Sequence, residues 1–99
     1  MSEKLPSETV SEHLDRMSGW RKTPGRDAIR KNFQFKDFSE AFGFMTRVAL
    51  AAERLNHHPE WSNTYSRVEV VLSTHDADGL TEKDFALALA ADQAAQGTG

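Results

Sequence analysis

The sequence predicts an α+β domain of two layers, a four-stranded antiparallel sheet with helices packed on one face, in the order α-β-β-α-β-β-α. Helical apolar spacing appears near the start, the middle and the end of the chain. Between these stretches lie two runs that alternate in the strand period of two. Each of those runs follows a shorter strand-like piece, close enough in sequence to pair with it as a hairpin.

The elements follow in order. Ser7 is a suitable N-cap, Glu8 lies in the favourable first turn, and Val10, Leu14 and Met17 share one helical face. Gly19 suits the position after that helix. Trp20 to Thr23 and Ile29 to Phe35 are expected as strands joined across the turn-forming tetrad Pro24-Gly25-Arg26-Asp27. Ile29, Lys31, Phe33 and Phe35 fall on one face of the second strand, so Lys31 is the exception on an apolar side.

Asp37-Phe38-Ser39-Glu40 has capping-box spacing, with Asp in place of Ser or Thr, and opens a long helix to about Asn56. Two apolar rows run along it. Phe38, Phe42, Met45, Ala49 and Ala52 form one; Ala41, Phe44, Val48, Ala51 and Leu55 form the other. One sheet face needs only one such stripe, so self-association of the chain through the helix 37–56 is expected. Pro59 disfavours helical geometry at His58, which places the helix end at or before the histidine pair. Trp61 to Thr64 and Arg67 to Thr74 form the second expected pair of strands, and Thr81 caps the last helix. One domain spans residues 1–99, with 1–6 and 93–99 expected to fray.

Bulk properties narrow the function. The 99 residues suffice for one core, are 38% hydrophobic and 27% charged, and carry a formal net charge of −3. A pI near 5.7 gives no global field toward nucleic acid, so none is expected as a direct partner. No apolar run approaches 20 residues and no secretory pattern opens the chain, so a membrane role is not expected and a cytoplasmic setting is. The absence of cysteine excludes disulfides and thiolate chemistry.

The chemistry-bearing residues cluster around Glu53-Arg54-Leu55-Asn56-His57-His58-Pro59-Glu60-Trp61. Two of the four histidines stand side by side there; His75 follows a strand-like run and Asp84 lies in the next helix. Imidazole titrates near neutrality, so this cluster points to proton transfer. Glu53 and His57 are four apart and would be neighbours on one helix, the carboxylate selecting the imidazole tautomer. A plain surface pair at a helix end fits the same spacing. Likewise Thr81-x-x-Asp84 has capping-box spacing and needs no catalytic role. Trp20, Trp61 and Tyr65 are expected in the core, and His13 at the surface or the core boundary without a role. No histidines stand at chelating spacing, so no metal is expected.

Taken together, Glu53, His57-His58-Pro59, Trp61, Tyr65, Ser73-Thr74-His75, Gly79-Leu80-Thr81 and Asp84 resemble the pterin-4a-carbinolamine dehydratase family. Gly25-Arg26-Asp27-Ala28 and the run from Phe35 to Ala49 also look like it, and the resemblance covers about Gly19 to Asp92. That family also serves in animals as a dimerisation cofactor for a homeodomain transcription factor, and it implies tetramers assembled through the long helix. The resemblance implies loss of water from 4a-hydroxytetrahydropterin (4a-hydroxytetrahydrobiopterin in tetrahydrobiopterin recycling), without metal or organic cofactor. It places the active site at His57, His58, His75 and Asp84, and pterin contacts at Asn56-His57-His58 and Ser73-Thr74-His75-Asp76. Trp20 matches an aromatic near the pocket mouth. On this reading His57, aided by Glu53, and His75 are the acid and base, while His58 and Asp84 orient the pterin. The alternative is a non-enzymatic interaction protein for a transcription factor.

Overall fold

The computed structural model describes residues 3–96. Helix α1 (Ser7–Asp15) leads into a sheet of β1 (Arg21–Lys22), β2 (Ile29–Gln34), β3 (Glu60–Thr64) and β4 (Arg67–Leu72). Helix α2 (Phe38–Leu55) crosses between β2 and β3, and α3 (Glu82–Gln96) closes the order. The sheet is antiparallel throughout, in spatial order β1-β2-β4-β3. This is the predicted α+β arrangement.

Period-two alternation sets the sheet's faces. Ile29, Phe33, Val68, Val70 and Leu72 are buried under the helices, with Phe33 and Phe44 rings 4.6 Å apart. Lys31 survives on that side because its ammonium is fully engaged. Nζ donates to Asp92 Oδ1 and to the Ser18 carbonyl, both at 2.8 Å, and sits 4.9 Å over the Phe33 ring. Of the α2 rows, Ala41, Phe44, Val48 and Ala51 turn inward, joined by Ala52. Phe38 and Phe42 stay 48% and 56% exposed, with Leu50 also open at 59%.

Several local expectations are corrected. Pro6, not Ser7, occupies the N-cap of α1, and no side chain caps it. Proline has no N–H and fits a helix start, so the boundary slides back by one residue. Strand β1 is only two residues long and excludes Trp20, and β4 stops at Leu72 before Thr74. Tyr65 is 67% exposed rather than core, because it occupies the tight β3–β4 turn with a φ of 54°. The Leu5 N–H donates to the Leu80 carbonyl (2.7 Å), and α3 continues through Gln96. Residues 1–2 and 97–99 lie outside the described residues.

Gly79 carries a packing requirement that bears on the site. Its N–H and C=O exchange hydrogen bonds with Thr74 (3.2 and 2.9 Å), closing the loop that carries His75. A Cβ there would collide with the Asp27 carboxylate and the Lys4 side chain. Asp27 has little room to yield, since it is held by Lys22 Nζ and the Leu80 N–H. Gly79→Ala is expected to destabilise by about 1–3 kcal/mol in urea titration. An unchanged midpoint would show that this loop relaxes freely.

Candidate active site

The site assembles where three chain segments meet at one end of the helical layer. Helix α2 closes with Asn56 in the left-handed region (φ 52°, ψ 45°). The N–H of His57 returns to the Ala52 carbonyl (3.0 Å) and that of Asn56 to Glu53 (3.2 Å), a Schellman-type closure. Asn tolerates the left-handed conformation better than most residues, so the chain reverses there and throws His57 and His58 out of the helical rows. After β4, a 3₁₀ turn (His75–Ala77) brings the second segment alongside. The first turn of α3 supplies the third.

A cavity of about 350 Å³ lies between them. It is lined by Asn56, His57, His58, Pro59 and Glu60 from the first segment, by Ser73, Thr74, His75 and Asp76 from the second, and by Lys83 from α3. The expected contact residues of both segments therefore meet around one space.

Three histidine–carboxylate couples surround it. His57 is buried, and its Nε2 is 2.5 Å from Oδ1 of the fully buried Asp84. Asp84 Oδ2 accepts from the Thr81 N–H (2.9 Å) and the Thr74 hydroxyl (2.8 Å), which itself lies 2.8 Å from the Thr81 hydroxyl. His58 Nε2 is 2.6 Å from Glu53 Oε2 on the exposed side. His75 Nε2 is 2.9 Å from Glu60 Oε2, and Arg26 grips both Glu60 oxygens at 2.9 Å. Because a carboxylate only accepts, each couple places a proton on Nε2 and leaves Nδ1 as the second ring site.

Asp84 thus caps α3 through Oδ2, as the spacing predicts, and meets His57 through Oδ1. The expected Glu53–His57 pair is not formed. The left-handed Asn56 breaks the four-residue helical relation, so Glu53 meets His58 and Asp84 takes His57. His75 is displaced from the predicted strand end into the 3₁₀ turn and is exposed. Trp20 does not line the cavity. It is buried beneath the sheet, its indole Nε1 donating to Asp92 (3.1 Å) and its ring edge-on to Phe33 at 6.0 Å. His13, at the core boundary as expected, tilts against Phe85.

Sequence reasoning missed Glu60, Lys83 and, behind Glu60, Arg26. The bidentate bond to Arg26 and the bond from His75 hold the Glu60 carboxyl down at about 2, against an ordinary 4.5, while burial opposes them weakly. The Arg26 guanidinium is correspondingly raised by the same carboxylate. With its folded value depressed, Glu60 favours the fold above the ordinary carboxylate range and loses that contribution as pH falls from 4.5 toward about 2. Glu60→Gln is expected to flatten the dependence of melting temperature on pH in that window. An unchanged slope would mean the ion pair contributes nothing to acid stability.

Among the described residues, no three His, Cys, Asp or Glu side chains are grouped so as to hold a metal ion. No helix among them is long and apolar enough to cross a membrane.

The same fold and sequence pattern recur in known proteins. Residues 3–94 match the family model described as Pterin 4 alpha carbinolamine dehydratase. A Burkholderia multivorans protein, provisionally named pterin-4-alpha-carbinolamine dehydratase, is 59% identical over 95 residues, 96% of this chain and 93% of its own. One from Rhizobium meliloti with the same provisional name is also 59% identical, covering 96% and 91%. A crystal structure from Brucella melitensis, described as a transcriptional coactivator/pterin dehydratase, superposes with a TM-score of 0.92 at 48% identity, covering 94% of this chain and 99% of that one. A pterin dehydratase-like protein described as a RuBisCO assembly factor in the alpha-carboxysome shares the fold at a TM-score of 0.68 and 23% identity, over 78% and 89% of the two chains. On residues matched from one end of the fold to the other, the chain belongs to the pterin-4a-carbinolamine dehydratase family.

Proposed function

We propose that this chain dehydrates a 4a-hydroxytetrahydropterin to the quinonoid dihydropterin by proton transfer between substrate and histidines. One observation carries the reading: two histidine–carboxylate couples meet at one cavity, His57 lining it with Asp84 buried behind, and His75 lining it with Glu60. The reaction needs that disposition. The C4a–O bond breaks as the hydroxyl takes a proton and leaves as water. The N5–H proton departs as the nitrogen lone pair forms the N5=C4a bond. An acid and a base facing the bicycle from two sides accomplish both transfers.

His57 and His75 serve as the acid/base pair. Asp84 fixes the His57 ring and balances its charge when protonated, a role the sequence assigned to Glu53. Glu53 instead holds His58, which orients the ring system with Asn56, Ser73, Thr74 and Asp76. No metal or organic cofactor takes part. Activity is therefore expected to survive dialysis against a strong chelator; loss with the chelator and return with zinc or iron would overturn the metal-free route. In stopped-flow dehydration assays, His75→Ala is expected to lower the rate by on the order of 10²-fold, while His13→Ala is silent. A folded His75→Ala variant at wild-type rate would remove His75 from the acid/base pair.

The second reading is an interaction role, favoured by the exposed row of Phe38, Phe42 and Leu50 on α2. Phe38 and Phe42 lie 5.9 Å apart, ring to ring, with no cover from the sheet. Burying each large side chain is worth roughly 1.5–3 kcal/mol, so this row suits an interface. A second copy of the chain is its occupant on this proposal, giving a homotetramer or homodimer. Light scattering is expected to give a multiple of the 11.1 kDa chain mass, reduced to the monomer in Phe42→Glu. A wild-type monomer at micromolar concentration would sink it. A transcription-factor partner is compatible with this face but is not needed to explain it.

A further inference from the structure

Glu60 and Arg26 stand outside the acid/base assignment, yet their geometry is directed at it. Arg26 sits in the β1–β2 turn directly after Gly25, whose φ of +77° makes the reversal possible. Glu60 opens β3, paired in register with Val71. His75 begins the 3₁₀ turn. Three segments distant in sequence thus converge on one carboxylate. The Arg26 fork meets both oxygens at 2.9 Å, the planar bidentate arrangement that fixes a carboxylate in position and orientation. The Oε2 so fixed is also the acceptor for His75 Nε2. His75 needs such a partner, because three quarters of its side chain is exposed and no other hydrogen bond is made to its ring among the described residues. An unrestrained imidazole there would exchange tautomers and rotamers.

We propose that Arg26 and Glu60 are positioning residues of this cavity: Arg26 clamps the Glu60 carboxylate, which holds the proton of His75 on Nε2 and makes Nδ1 the atom His75 offers to a bound pterin. This rests on the dehydratase reading of the cavity. It departs from a plain surface ion pair in what it predicts. A surface pair contributes little and leaves the histidine untouched. A positioning pair sets the histidine's tautomer and works only through it.

The test has one arm without substrate and one with it. In ¹⁵N long-range correlation spectra of the free protein above the imidazole titration, His75 is expected as the Nε2–H tautomer. Glu60→Ala and Arg26→Ala are expected to shift it toward a mixture, and Arg26→Lys to restore part of the wild-type signature. In steady-state dehydration, Glu60→Ala is expected to lower kcat roughly tenfold with KM changed by less than twofold, part of the usual contribution of a general acid or base. The double variant Glu60→Ala/His75→Ala is expected to be no slower than His75→Ala alone, the signature of two groups acting as one. A His75 tautomer indifferent to Glu60 and Arg26 would overturn the proposal, as would additive losses in the double variant. A wild-type protein without dehydratase activity would instead refute the functional reading, and the tautomer arm would still decide the clamp.

Discussion

Asp84→Ala is expected to destabilise the protein by about 3–5 kcal/mol, the range for removing one partner of a buried charged couple. The loss has three sources. His57 loses the acceptor at its Nε2, the Thr81 N–H loses its cap, and the Thr74 hydroxyl loses the oxygen it donates to. All of these groups are buried, so water cannot replace the carboxylate without opening the site. For a domain of this size, that loss lowers the melting temperature by at least about 12 °C. Asp84→Asn keeps the shape and one acceptor and should lose less. Urea or thermal unfolding followed by circular dichroism decides it, and a change below about 1 kcal/mol would show that the buried couple does not anchor α3 to α2.

His57→Ala is expected to slow dehydration as much as His75→Ala does, by on the order of 10²-fold in the stopped-flow assay. His57 is the buried member of the proposed acid/base pair, and its ring is oriented by a carboxylate that cannot move away. Its backbone N–H closes α2 onto Ala52 whatever the side chain, so the helix end should survive the substitution. A folded variant retaining near wild-type rate would place the acid/base work elsewhere, with His58 and its Glu53 partner the next to be removed.

The fold was legible because its signals are local. Alternation in Ile29 to Phe35 and Val68 to Leu72 gave both central strands, and the Asp37 cap marked the start of α2, where its carboxylate does accept the Glu40 N–H (2.8 Å). The histidines that line the cavity were legible for a similar reason: His57, His58 and His75 stand out by residue type. The partnerships were not. Glu53–His57 follows from helical geometry, and it fails because a single left-handed residue, Asn56, lies between them. Arg26, Glu60 and His75 meet only through the order in which strands pair, information that no spacing along the chain contains. Trp20 illustrates the converse, since an aromatic beside a strand gives no sign of which end of the core it will fill.

The two kinds of histidine site here should age differently in a lineage. Asp84 starts a helix with one oxygen and holds an imidazole with the other, so a descendant that abandoned chemistry would still be selected to keep it. The trio on the open rim has little such protection, because Arg26, Glu60 and His75 leave the core intact when lost. A relative with the aspartate and without the trio is therefore one to test for a different occupation. If the proposed clamp holds, survival of the rim, rather than of the buried pair, is the better marker of a chain still suited to proton transfer.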